Sequence, residues 1–282
     1  MRRQSFSILN FQLIKKMKFD KQKFITQLKK IGIITMWICL LGGLIVSLAF
    51  VNKKEKEITC SKIDVEIEPK NELLFVDRET VIKTIRHDGD EKLLIGANMN
   101  SLHYPNLEKT LLHNKMIEKA KVFTDMNGVL YINLIQREPI LRVIKPDGTG
   151  FYIDRKGLKM PLSERFTARV MVATGNIFES YSGRDSLQSL VCNELFKIAT
   201  YVDKDAFWKA QIEQIFVNAE SDLVLIPKIG EHQIVFGTTD NMEDKFARLM
   251  LFYKEGLSQM GWNKYNSINL SYDGQIVCVK KK

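Results

Sequence analysis

From Ile31 to Val51 the chain is apolar and carries no charged residue. At about 1.5 Å of rise per residue a helix over this run spans roughly the 30 Å hydrocarbon layer of a bilayer. The pattern therefore predicts one membrane-spanning helix, followed almost at once by a folded region. From Ile58 the chain turns to strand. Ile63, Val65 and Ile67 alternate with Asp64, Glu66 and Glu68, the period-2 signature of a half-buried strand, and Pro69 ends it. Asp77 reads as an N-cap, with Val81, Ile82 and Ile85 on one face of a short helix through Arg86. A polar loop, 87–101, leads to Pro105 in the first turn of a second helix, which carries Leu107, Leu111 and Leu112 to about His113. Two strands follow, Ile117–Thr124 and Val129–Gln136, joined at Asn127-Gly128, a strong hairpin signal. Strand, helix, helix, strand, strand is the order of a compact α+β unit with two helices on one face of a three-stranded sheet.

After Glu138-Pro139 the texture becomes β-rich. Ile140–Ile144, Gly150–Ile153 and Ala168–Thr174 read as strands, with a loop around Pro161. A helix is expected over Ser186–Tyr201, where Leu187, Leu190, Val191, Leu195 and Ile198 recur at helical spacing. Phe207–Val217 reads as a helical turn running into a strand, and Asp222–Ile226 with Gln233–Phe236 as a hairpin. Asp240 and Glu243 have capping-box spacing for a helix to about Gln259. The chain closes with strands Ser267–Tyr272 and Gln275–Val279, turning at Asp273-Gly274.

The net charge of +9 changes the picture through its location. Nine basic residues precede Val51 against one acid, Asp20, so the remainder carries only +1. A basic face for nucleic acid is not indicated there. Basic residues stay on the cytoplasmic side of a membrane helix. The expectation is thus a single-pass type II protein of the cell (inner) membrane: tail 1–30 cytoplasmic, helix 31–51, and 52–282 extracytoplasmic. Against a cleaved signal, the apolar run is long, and its small-x-small site Ser47-Leu48-Ala49 lies at its very end. Gly43 and Ser47 are spaced to seat a partner helix.

Recognisable chemistry is sparse. His87, His103, His113 and His232 lack ligand spacing, and no nucleophile elbow, phosphate loop, dinucleotide fingerprint or zinc motif occurs. No metal, cofactor or catalytic residue is expected. Cys60, Cys192 and Cys278 read as small buried hydrophobes, with Cys39 in the membrane run. Asp154 reads as turn chemistry, and Trp208 and Trp262 as core.

Several segments carry a family resemblance. Ile63–Ile67 and Phe75–Ile82 fall where the first strand and helix of a POTRA domain would lie. Val129–Pro139, with its Arg-Glu-Pro exit, resembles the last strand of that domain in the FtsQ/DivIB cell-division family. Tyr152–Gly157 is similar to the turn that follows, and Ile268–Val279 to the closing segment, although Asn269 and Ser271 stand where the family has aspartate and arginine. The resemblance implies a POTRA domain over 58–137 and a β domain over 138–282. It also implies a non-enzymatic divisome scaffold at the septum that binds FtsB- and FtsL-like bitopic partners and helps control septal peptidoglycan synthesis. Other division proteins would meet it through the POTRA domain and the membrane helix, which also contacts lipid. It further implies an open last strand onto which a partner adds a strand, placing partner-binding residues at Tyr272, Gln275, Ile276, Val277, Cys278 and Val279. Two alternatives are a POTRA-type transport component, which usually repeats that unit, and an anchored cell-wall enzyme, which would need a catalytic site.

Overall fold

The structure, a computed structural model, describes residues 24–48, 58–69, 73–86, 94–183 and 186–281. The first helix, α1, spans Phe24–Leu48 with a mean hydropathy of 2.4 in its most apolar window, and none of that window is buried. It starts about two turns before Ile31; residues 49–51 of the expected span lie outside the described residues.

The first folded unit after α1 consists of β1 (Lys62–Glu68), α2 (Arg78–Ile85), a 3-10 turn (Met99–Ser101), α3 (Tyr104–Leu112), β2 (Ile117–Thr124) and β3 (Val129–Gln136). Its sheet order is β1-β3-β2, with β1 parallel and β2 antiparallel to β3. Asp77 caps α2 by accepting from the Thr80 amide at 2.8 Å. Ile63, Val81, Leu111, Val122, Leu130, Ile132 and Leu134 form the core between helices and sheet. The first strand is shorter than the sequence suggests. Ile58–Cys60 pair instead with residues 96–99, at the start of the 3-10 turn: Cys60 N–H donates to Ala97 O at 2.9 Å and Met99 N–H to Ile58 O at 2.9 Å. Residues 87–93 of the expected polar loop lie outside the described residues, and in its described part Met99 is buried.

The second unit is a nine-stranded sheet of β4 (Pro139–Ile144), β5 (Gly150–Asp154), β6 (Lys159–Pro161), β7 (Met171–Gly175), β8 (Ile212–Val217), β9 (Leu223–Pro227), β10 (Gln233–Gly237), β11 (Tyr265–Asn269) and β12 (Val277–Lys280). Its order is β12-β11-β10-β9-β8-β7-β4-β5-β6. Helices α4 (Leu190–Lys204), α5 (Ala206–Gln211) and α6 (Met242–Leu251) bury Leu195, Ile198, Trp208, Phe246 and Leu249 with the sheet in one core. A π-helical segment, Phe252–Leu257, and a last turn to Met260 extend α6. The overall architecture is the expected α+β arrangement of apolar helix, compact α/β unit and β-rich domain.

Three local expectations need correction. The helix expected from Ser186 begins at Leu190, because Ser189 caps it by accepting from the Cys192 amide at 3.1 Å and Ser186 bridges to Leu158. The loop around Pro161 contains β6, whose Lys-Met-Pro sequence has too few residues to show alternation. The capping box at Asp240 does not form. Its carboxylate accepts instead from the Thr238 hydroxyl at 2.8 Å, and α6 starts after Asn241, which has a left-handed φ of 50°.

The two units have separate cores that meet at β5. Along β5, Phe151 and Ile153 point into the core under the helices, whereas Tyr152 between them enters the core of the first unit. That alternation is why the whole strand beyond Gly150 is buried. The Phe75 ring lies edge-on to Tyr152 at 5.7 Å and to Phe166 at 5.1 Å. Gln136, the last residue of β3, is buried and holds the segment that carries Phe75: its side-chain oxygen accepts from Val76 N–H at 3.0 Å, and its amide donates to Leu73 O at 3.0 Å.

Candidate partner-binding edge

β12 is a terminal strand of the nine-stranded sheet. It pairs antiparallel with β11, Asn269 opposite Val277, Ile268 opposite Cys278 and Ser267 opposite Val279. Strand alternation then sorts its side chains. Ile276 and Cys278 pack against the core, where Ile268 is fully buried. Val277 and Val279 point away and are 41% and 55% exposed. The free side of this strand presents backbone groups that no strand within the described residues pairs, the feature that makes a sheet edge a template for another chain.

The six expected partner-binding residues fall at this edge but not all on the strand. Val277, Cys278 and Val279 are in β12, and the strand continues to Lys280; Gln275 and Ile276 belong to the approach to it. Tyr272 sits in the turn between the strands and is half exposed. Asn269 and Ser271 make a local arrangement of their own: the Asn269 side-chain oxygen accepts from Ser271 N–H at 2.8 Å. Gly237 has a φ of +74°, and a Cβ there would lie 2.9 Å from the Ser271 hydroxyl, so Ser271 occupies space that only glycine leaves.

Arg248 is the residue sequence reasoning missed. Its Nε donates to Asp244 at 2.8 Å, and its Nη1 donates to the carbonyls of Tyr272 at 3.3 Å and Gln275 at 2.5 Å. A side chain of α6 thus ties down the turn that delivers β12. A basic residue in the last turn of a helix is a familiar signal, but its target, backbone carbonyls of a turn far along the chain, leaves no pattern in sequence. At the far end of the strand, Lys281 N–H donates to Lys264 O at 3.0 Å and the Lys281 ammonium pairs with Glu231. Beside the edge runs a groove of about 420 Å³ lined by Arg248, Leu251, Phe252, Gly256, Gln275 and Ile276.

The π-helical segment shapes that groove. A Cβ on Gly256 would meet the Phe252 ring at 3.0 Å, so glycine lets this turn fold close upon itself. The altered winding carries Tyr253 inward, where its hydroxyl lies 2.8 Å from His232 Nε2. Burial lowers the His232 pKa and raises that of the Tyr253 phenol, so both stay neutral. Such π segments recur near functional sites.

The other sequence candidates have structural placements. Cys60 and Cys192 are buried, and Cys278 is half-buried. Trp208 is core, and Trp262 packs against that core. Asp154 is more than a turn residue, since it forms a buried ion pair with Arg137 at 2.8 Å. Gly43 and Ser47 lie one turn apart on the exposed surface of α1, and a Cβ on Gly43 would meet nothing within 4 Å.

Comparison with known families follows this division of the chain. Residues 58–135 match a POTRA-like domain, and residues 138–279, half of the chain, match the family described as FtsQ/DivIB, C-terminal related. The chain belongs to the FtsQ/DivIB family. No curated protein matches it. FtsQ/DivIB proteins are non-enzymatic cell-division scaffolds, and the apolar α1 is consistent with their membrane anchoring. In FtsQ/DivIB terms the candidate edge lies in the family-defining domain, at the end of its sheet away from the POTRA-like unit.

Proposed function

We propose that this protein is a divisome scaffold that receives the extracytoplasmic segment of an FtsB-like bitopic protein, itself associated with an FtsL-like one, as an added strand along β12. The assembly helps control septal peptidoglycan synthesis, and the protein itself catalyses no reaction. The observation that carries this reading is the placement of β12 at the end of the sheet, with Val277 and Val279 exposed. Strand addition would satisfy the free backbone groups, while alternate side chains give selectivity. Tyr272 supplies an aromatic anchor of the kind enriched among interface hot spots. Basic residues before α1 support a cytoplasmic N-terminus, with 52–282 outside and at the septum. Gly43 and Ser47 offer the close approach a partner membrane helix would use.

The experiment is co-purification of the full chain with an FtsB-like partner. Val277→Pro removes a backbone donor and distorts the strand, whereas Val277→Thr keeps both donor and β preference. Loss of the partner in the first and retention in the second supports the reading; retention in both removes β12 from the interface.

A further inference from the structure

We propose that the POTRA-like unit rests on the lipid surface through two exposed apolar side chains, Ile95 and Met126, at the pole where the chain arrives from its anchor. The unit has two ends along β3. Gln136 lies at one end, and Arg137 just after it pairs with Asp154 of the β domain at 2.8 Å. Val129, at the other, follows the hairpin turn Asp125–Gly128, roughly 25 Å away at about 3.3 Å per residue.

That distant end is also where residues 58–61 enter the fold, held by two loops. Ser61 N–H donates to Gly128 O at 2.8 Å and the Ser61 hydroxyl to Asn127 O at 3.1 Å, which pins the hairpin tip. Gly96 N–H donates to Cys60 O at 2.7 Å, which pins the second loop. Each pinned loop carries an exposed hydrophobe: Met126 is 85% exposed and Ile95 is 45% exposed.

Connectivity points this pole at the bilayer. α1 ends at Leu48 and the fold is reached at Ile58, a length of chain that reaches at most about 35 Å when fully extended. The expected apolar run takes part of that length, because it continues to Val51. Neighbouring polar groups suit an interface. The Asp125 carboxylate is occupied locally, accepting from the amides of Asn127 and Val129 at 2.9 Å each. Lys62 is exposed beside the turn, where its stem can lie along apolar surface with its ammonium among phosphates. Apolar side chains at the rim of an anchored domain lose their contact with water by sinking into the headgroup boundary.

The test uses the full chain in lipid nanodiscs of phosphatidylethanolamine and phosphatidylglycerol, some lipids carrying an acyl-chain nitroxide. Met126→Cys, Ile95→Cys and Leu190→Cys are each labelled with an environment-sensitive fluorophore in a Cys39→Ala, Cys278→Ser background; Cys60 and Cys192 are buried. Leu190, 85% exposed on the β domain, is the control. The expected result is a loss of emission at 126 and 95 when the nitroxide lipid is present, with none at 190. Emission at 126 and 95 as insensitive as at 190 overturns the proposal. No partner protein is present, so failure here leaves strand addition at β12 untouched.

Discussion

Arg137 Nε lies 2.8 Å from Asp154 Oδ2, and both side chains are buried at the seam between the two units. Arg137 immediately follows β3, and its Nη1 also donates to Lys115 O at 3.2 Å. The other oxygen of Asp154 accepts from the amides of Lys156 at 2.9 Å and Leu158 at 2.8 Å. One carboxylate therefore closes the β5–β6 turn and holds the residue that leaves the POTRA-like unit. This contact fastens the exit of the POTRA-like unit to the first strands of the β domain.

Asp154→Ala would leave the Arg137 charge buried without its partner. Such a loss costs about 3–5 kcal/mol. Asp154→Asn keeps an acceptor for the turn amides and is expected to cost less. Urea unfolding of both variants beside the parent checks the order. Two unchanged midpoints would show that the pair does not fasten the seam.

Acid should loosen the β domain through Glu179. Burial pushes its carboxyl pKa up, but the Lys159 ammonium, the Ser189 hydroxyl and amide and the Gln188 amide together hold it down at about 2. The folded value is depressed below the ordinary 4.5. The stabilisation is therefore present above that value and is lost as pH falls from there through the folded value. Unfolding midpoints followed downward from pH 7 should drop in this window for the parent, and the drop attributable to this site should vanish in Glu179→Gln. A parallel drop in both would assign the acid sensitivity elsewhere.

Gly128→Ala should damage the membrane-proximal pole. Gly128 has a φ of +79°, and a Cβ there would sit 2.2 Å from Thr59 O, part of the incoming chain. The backbone strain alone costs on the order of 1–3 kcal/mol, and the clash adds to it. Amide exchange should accelerate at Ser61 and along the β2–β3 hairpin while β8–β10 remain protected. Uniform exchange across both units would contradict a local effect.

Arg248→Ala should release the turn before β12 without unfolding the sheet, because the side chain bonds Tyr272 and Gln275 carbonyls rather than core groups. The expected outcome is faster amide exchange at Val277–Lys280 and weaker partner capture, about tenfold for a loss near 1.4 kcal/mol. Unaltered exchange at these amides would remove Arg248 from edge positioning.

Local elements were legible wherever a single chemical preference decided them. The Asn127-Gly128 turn fixed the register of β2 and β3, and Asp77 marked the start of α2, because both act within four residues. Capping at Asp240 failed because Thr238 competed for its carboxylate. β6 was hidden because its partners lie in β5 and its own three residues carry no period. Most of the candidate edge could be read from alternation and family resemblance. The parts that hold it, Arg248 on the turn carbonyls and Gly237 beneath Ser271, depend on contacts between distant segments. Likewise the period-2 pattern of β5 is invisible in sequence, since its two faces enter two different cores.

Backbone exchange at β12 reads strand addition at its own hydrogen bonds. The extracytoplasmic segment of an FtsB-like partner is added to the full chain, and amide exchange at Val277–Lys280 is followed with and without it. Amides facing the free side of the strand are expected to slow down on binding, and Val277→Pro to abolish both the slowing and the binding. Tight binding with unchanged exchange along β12 would contradict it.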